Sequence, residues 1–218
     1  LEEEKRRSGE LAALNRIGLA IGAGLNSDEV IHSIFVQCRQ IIDIDIFYLA
    51  LYDDATKIMS FPVFFDEGAL IPVNSVDLGS SRGLASVIIE TKRSLFIADT
   101  EDQAVMADYP MIVLSDVPPR SFIGVPLLVR DKVIGVLSAQ SRRPNAYVQR
   151  HVRLLETIAA QSAVALENAR LYEEVKRLST MDALTGIYNF RSLFELGPRE
   201  FAKARRTGRP LAALFLDV

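Results

Sequence analysis

Apolar positions switch period several times along the chain, and each switch marks an element. Leu11, Leu14, Gly18, Ile21 and Leu25 recur at spacings of three and four, which predicts a helix over 2–25. Asn26-Ser27-Asp28 ends that helix and starts another, with Ser27 as its N-cap. The second helix reaches about residue 42, and Val30, Ile31, Ile34, Phe35 and Cys38 share one of its faces. The pattern then becomes that of strands. Residues 46–52 are β-branched and aromatic, Asp53-Asp54-Ala55-Thr56 reads as a turn, and 57–65 is a second strand. Pro62 cannot donate to a ladder, so that strand is an edge or carries a bulge. A short strand over 73–78, a short helix over 83–91 and a strand over 95–98 follow. Residues 99–120 are acidic, long and without period, the mark of a functional or mobile connection. Residues 121–129 and 133–140 pair as a hairpin around Arg130-Asp131-Lys132. The expectation is an α+β fold: a mainly antiparallel sheet of about six strands with helices on its faces.

A long helix is expected over 146–178, about 50 Å at the usual rise. In its first half Val148, Val152, Leu155, Ala159, Ser162 and Leu166 form one face that can pack on the sheet. Its second half carries a different stripe: Val164, Asn168, Leu171, Val175 and Leu178. Written as heptads, Asn168 and Val175 fall at a, and Leu171 and Leu178 at d, the pattern of a parallel two-stranded coiled coil. The expected partner is a second copy of the chain; packing of this stripe within one chain is the alternative. Beyond Ser179-Thr180 come a polar connection over 182–189 and a helix over 190–206 interrupted at Gly197-Pro198. Gly208-Arg209-Pro210 reads as a turn, and 211–216 as a buried strand.

Composition narrows the function. The 218 residues are 49% hydrophobic and 24% charged, an ordinary globular balance. A net charge of -3 gives no global basic excess to hold nucleic acid or an anionic membrane. The lone cysteine, Cys38, excludes an internal disulfide and a zinc site of several thiolates, and on the apolar helix face it reads as a buried structural thiol. No apolar run approaches the length of a membrane span. The first residues, Leu-Glu-Glu-Glu-Lys-Arg-Arg, are no signal peptide, and without an initiating Met the chain reads as excised from something longer. The expected location is cytoplasmic. His32 and His151 are read as structural or solvated, not as haem ligands.

Two segments resemble known families. Ser121-Phe122-Ile123-Gly124-Val125-Pro126-Leu127, then Val133-Ile134-Gly135-Val136-Leu137, then 163–172 (AVALENARLY) resemble the closing half of GAF domains, hairpin followed by exit helix. The glycines at 124 and 135 fit there as points of close approach. The second segment, Asp182-Ala183-Leu184-Thr185-Gly186-Ile187-Tyr188-Asn189, resembles the D-x-L-T-G-l-y-N opening of GGDEF domains, with Phe190 where that family usually has Arg. Arg209-Pro210-Leu211 and Leu214-Phe215-Leu216-Asp217 continue the match.

The resemblance implies a parent protein that is a diguanylate cyclase, condensing two GTP molecules into cyclic di-GMP with magnesium. Asp217 and the carbonyl of Val218 would be metal ligands in the intact parent. The remaining phosphate- and guanine-binding residues lie beyond Val218, so this chain by itself is expected to be inactive and to carry no cofactor. The domain plan is then an N-terminal signalling and dimerisation helix over 1–25 and a GAF-like sensor domain over 26–172 with its exit helix over 146–178. A linker and the truncated start of a GGDEF domain occupy 173–218. Tyr48, Tyr52, Phe64, Tyr109 and Ser138 are candidates to line a small-molecule pocket under the 99–120 connection. They serve equally as core residues of a closed, empty domain, in which case the protein is a ligand-free structural dimerisation domain.

Overall fold

The computed structural model describes residues 27–109, 114–115, 117–182 and 184–214. The expected helix over 2–25, and the expected metal ligands Asp217 and Val218, lie outside the described residues. Two compact units divide the chain, 1–170 and 171–218.

The first unit is built on one antiparallel sheet. Helix α1 (Ser27–Ile41) precedes the hairpin β1 (Ile46–Asp53) and β2 (Ile58–Asp66), then the short strands β3 (Ala69–Leu70) and β4 (Val76–Asp77). Helix α2 (Leu84–Thr91), strand β5 (Leu95–Ile97) and the single turn α3 (Gln103–Met106) lead into the hairpin β6 (Ser121–Val129) and β7 (Lys132–Ser141), and then into helix α4 (Gln149–Thr180). The strand order is β3-β2-β1-β7-β6-β5, with β4 also on β2, and every pair is antiparallel. Seven strands stand where about six were expected. The extra one, β3, and the shortened β4 are each two residues long, too short to leave an alternating pattern.

Each face of the sheet carries its own core. Odd-numbered residues of β1 and β7, such as Phe47, Leu49, Leu137 and Ala139, face α1 and α4. The stripe foreseen on α1, Val30 to Cys38, is buried there, as are Val152, Leu155, Ala159, Ser162 and Leu166 of α4. Val148 is the exception: it precedes the helix and is exposed. Even-numbered residues, such as Ile46, Tyr48 and Val136, face α2. Pro62 sits in a bulge, since β1–β2 pairing steps from Leu49↔Val63 to Leu51↔Ser60. The bulge matters because it resets alternation. Phe61 and Phe64 are an odd number of residues apart, yet both join the α2-side core.

Two glycines mark close approaches. A Cβ at Gly135 would overlap the carbonyl oxygen of Ala50 on the neighbouring strand, and one at Gly124 would overlap the Ile88 side chain of α2. Ser121 fixes the corner where β6 and β7 end. Its Oγ lies 2.8 Å from the carbonyl oxygens of both Ala98 and Arg143, donating to one at a time, and accepts the N–H of Ala146. Asp45 ties β1 to β7, accepting from Ser141 Oγ at 2.7 Å and from the Arg142 N–H at 2.8 Å.

In the second unit, the 182–189 segment folds as a capped turn. Asp182 accepts from the N–H groups of Leu184 and Thr185 and from the Thr185 hydroxyl. Gly186 takes the left-handed backbone at φ 68°, and Asn189 caps helix α5 (Phe190–Thr207) by accepting the Ser192 N–H at 3.0 Å. The expected interruption at Gly197-Pro198 is absent, and α5 runs through it. Gly197, lacking a Cβ, tolerates the helical conformation before proline, and an exposed helix leaves the unpaired Phe194 carbonyl to water. The expected strand over 211–216 is not formed as far as Leu214. Leu211 and Leu214 are exposed and without regular structure, and no neighbouring strand among the described residues offers a ladder.

Candidate functional site

The two cores differ in what they enclose. Between the sheet and α2 lies a cavity of about 60 Å³. Strands β1 and β2 contribute Ile46, Tyr48, Met59, Phe61 and Phe64; Phe122 and Gln140 complete the sheet side. Val76 and Leu78, then Leu84 and Ala85 at the start of α2, supply a second wall, and Leu114, Ser115 and Pro119 of the 99–120 connection a third. Its aromatic cluster is built by the Pro62 bulge. The rings of Tyr48 and Phe64 lie parallel within 6° at 6.4 Å, and Phe61 stands edge-on to both, at 84° and 77°.

Polar groups gather at one end. Tyr48 faces Ser138 across the β1–β7 ladder, and Gln140 Nε2 donates to Ser138 Oγ at 3.0 Å. Burial pushes the Tyr48 phenol up to about 12, so it stays a neutral hydroxyl. Nearby, the buried Asp66 accepts from Ser115 Oγ at 2.5 Å and from Arg142 Nη2 at 2.7 Å. Arg142 also lies 3.5 Å from Glu67. Ser115 therefore links the 99–120 connection to the end of β2. The ends of that connection are tied as well: Arg120 grips Asp99 through Nε and Nη2 at 2.9 and 2.8 Å, and the Thr100 hydroxyl donates to the Pro119 carbonyl at 2.6 Å. Arg120 holds the Asp99 carboxyl below its ordinary range. The connection contains the turn α3, capped by Asp102, which periodicity did not show because one turn is too short.

Of the five candidates, Tyr48 and Phe64 line the cavity and Ser138 stands beside Tyr48 on the neighbouring strand. Tyr109 packs on the same core without lining the cavity. Tyr52 is at the far end of β1, where its hydroxyl donates to Asp54. Met59, Phe61, Leu84 and Gln140 line it too and were not among the candidates. A wider groove of about 530 Å³ between β5 and α4 is more open to solvent; there Lys92 and Ser94 already hydrogen bond to the Asp131 carbonyl and to Glu156. Cys38 is fully buried in the opposite core, where burial raises its thiol. His32 is exposed, and His151 Nδ1 accepts the Val148 N–H at 3.2 Å. Among the described residues no group of three His, Cys, Asp or Glu side chains could hold a metal, and no helix is long and apolar enough to cross a membrane.

The stripe on α4 falls in two environments. Residues of the helix up to Ala169 include the buried face, whereas Val164, Asn168, Leu171, Val175 and Leu178 are all exposed. Packing of these five within one chain is not what the described residues do.

One antiparallel sheet, a solid core on one face and a small cavity on the other define an α+β domain of GAF-like fold. The chain belongs to the GAF domain family, whose model matches residues 24–167. Solved structures share this fold. The GAF domain of an Acinetobacter phosphoenolpyruvate-protein phosphotransferase is 20% identical, with a TM-score of 0.58 over 74% of this chain and 94% of that one. Residues 122 to 287 of a methyl-accepting chemotaxis protein are 19% identical, with a TM-score of 0.61 over 73% of this chain and 99% of that one. The free methionine-R-sulfoxide reductase from Neisseria meningitidis, solved with its substrate, is 17% identical, with a TM-score of 0.58 over 74% and 90%.

Proposed function

We propose that this chain is the sensory and dimerising module of a bacterial signal-transduction protein. The cavity between the sheet and α2 is the sensor, the exposed α4 stripe pairs with a second copy, and the output is a diguanylate cyclase. The observation that carries this reading is α4 itself. A single helix begins with residues buried on the sheet and ends with leucines and valines exposed at heptad spacing. Leu171, Val175 and Leu178 are exposed among the described residues, and pairing would bury them.

The cyclase part of the proposal rests on the resemblance of 182–189 and 209–217 to the opening of GGDEF domains. The local chemistry supports treating that segment as a working motif, because Asp182, Thr185, Gly186 and Asn189 each fill a distinct structural position in the turn. In the parent, magnesium and GTP would be bound by the cyclase domain, with Asp217 and the Val218 carbonyl among the metal ligands. Occupancy of the GAF pocket would bias how two α4 helices pair and so how two cyclase domains meet.

Sedimentation equilibrium tests the assembly: a dimer is expected, weakened by Leu171→Asp with the GAF fold intact. A strict monomer at high concentration would end the proposal. The small cavity favours one rival, a dimeriser that takes no ligand, since ligand sites usually span about 300–1,000 Å³. A thermal-shift screen separates the two, because a ligand for the native state raises apparent stability.

A further inference from the structure

We infer that the pocket takes a small, neutral, mainly apolar molecule bearing a single hydrogen-bonding group. This rests on reading the pocket as a ligand site, and it adds the chemical class. Size comes first. A water needs about 10–15 Å³ of such space, so 60 Å³ holds about four water-sized groups. A nucleotide does not fit that space.

Charge comes second. Among the described residues no Asp, Glu, Lys, Arg or His lines the cavity. The cation at its polar end, Arg142, pairs through Nη2 with Asp66 and lies 3.5 Å from Glu67, two carboxylates against one guanidinium, so a ligand anion would meet a charge already neutralised. A ligand cation would meet Asp66 only by displacing Arg142 and Ser115 from it. Either ion would be desolvated against aromatic and aliphatic walls, which is costly without a partner.

The hydrogen-bonding ledger sets the third limit. Ser115 donates to Asp66, and Gln140 Nε2 donates to Ser138 Oγ. What stays available on the wall is the Tyr48 hydroxyl with the second amide hydrogen and the carbonyl of Gln140, grouped at one end, which suits one alcohol, ketone or amide group on the ligand. The Pro62 bulge supplies the rest, placing Phe61 beside Phe64 as an apolar wall.

The test uses the full chain with 13C-methyl methionine, the Met59 signal being assigned by Met59→Leu. Three probes of equal length, n-butanol, butyrate and butylammonium, are titrated, with cyclic AMP as a fourth. Butanol should move the Met59 methyl saturably, and butyrate and butylammonium should bind about tenfold or more weakly, because neither charge finds a partner. Ala85→Leu, or Leu78→Phe if that variant folds poorly, should fill the cavity and remove the butanol response. Butyrate, butylammonium or cyclic AMP binding as well as butanol would overturn the class while leaving the pocket a ligand site. Failure of every probe to move Met59 would overturn the pocket reading and the class together.

Discussion

The two faces of the sheet use the same strands to opposite ends. Toward α1 and α4, aliphatic side chains and Phe35, Phe47 and Phe65 interlock, with the Phe35 ring 5.3 Å from Phe47 and 5.2 Å from Phe65. Toward α2, a helix of only eight residues covers less of the sheet, and aromatic rings surround a space they do not fill. The difference comes from how much helix lies on each face, and the consequence is that one face is filled while the other encloses a cavity.

Several substitutions should separate the faces. The largest contrast is expected between Phe47→Ala and Phe61→Ala. Phe47 is wholly buried in the solid core, and its loss should cost about 3–5 kcal/mol in denaturant unfolding. Phe61 already borders a cavity, so its removal deletes fewer contacts and should cost clearly less. Equal costs would erase the distinction. Next come the two glycines. Gly135→Ala sets a methyl against the fixed backbone of Ala50 and should cost about 3 kcal/mol; Gly124→Ala meets side chains, those of Ile88 and Phe122, rather than backbone and should cost less.

An alkaline titration gives an effect of similar or smaller size. The folded-state Tyr48 phenol, at about 12, lies above its unfolded value near 10. The folded chain therefore holds the proton longer, and its stability is intact below pH 10 and falls as pH rises through 12, by about 2–3 kcal/mol. Tyr48→Phe should blunt that fall without removing it, because burial raises Tyr147 as well. The smallest expected stability effect is that of Leu171→Asp: the side chain is largely exposed, so thermal unfolding of the GAF domain should move little while dimerisation weakens.

Much of this was legible in the residues because burial imposes period. The α1 stripe, the β1–β2 and β6–β7 hairpins and the buried half of α4 each repeat long enough to be read, and Pro62 announced its own bulge. The pocket was less legible. Alternation alone puts Phe61 on the opposite face from Phe64, and only the slipped register brings them together. Met59 and Gln140 carry no local signal of lining a cavity, because that depends on how far α2 extends over the sheet. Aromatic content pointed to Tyr52 as readily as to Tyr48, yet the position of Tyr52 near the end of β1 takes it past the cavity.

Xenon tests the division of the two faces most directly, since it enters empty apolar cavities and little else. With isoleucine methyls labelled, Ile46 reports from the cavity wall and Ile34 and Ile123 from the solid core. Under xenon the Ile46 signal should shift while Ile34 and Ile123 stay in place. Equal shifts on both faces, or none on either, would contradict the account.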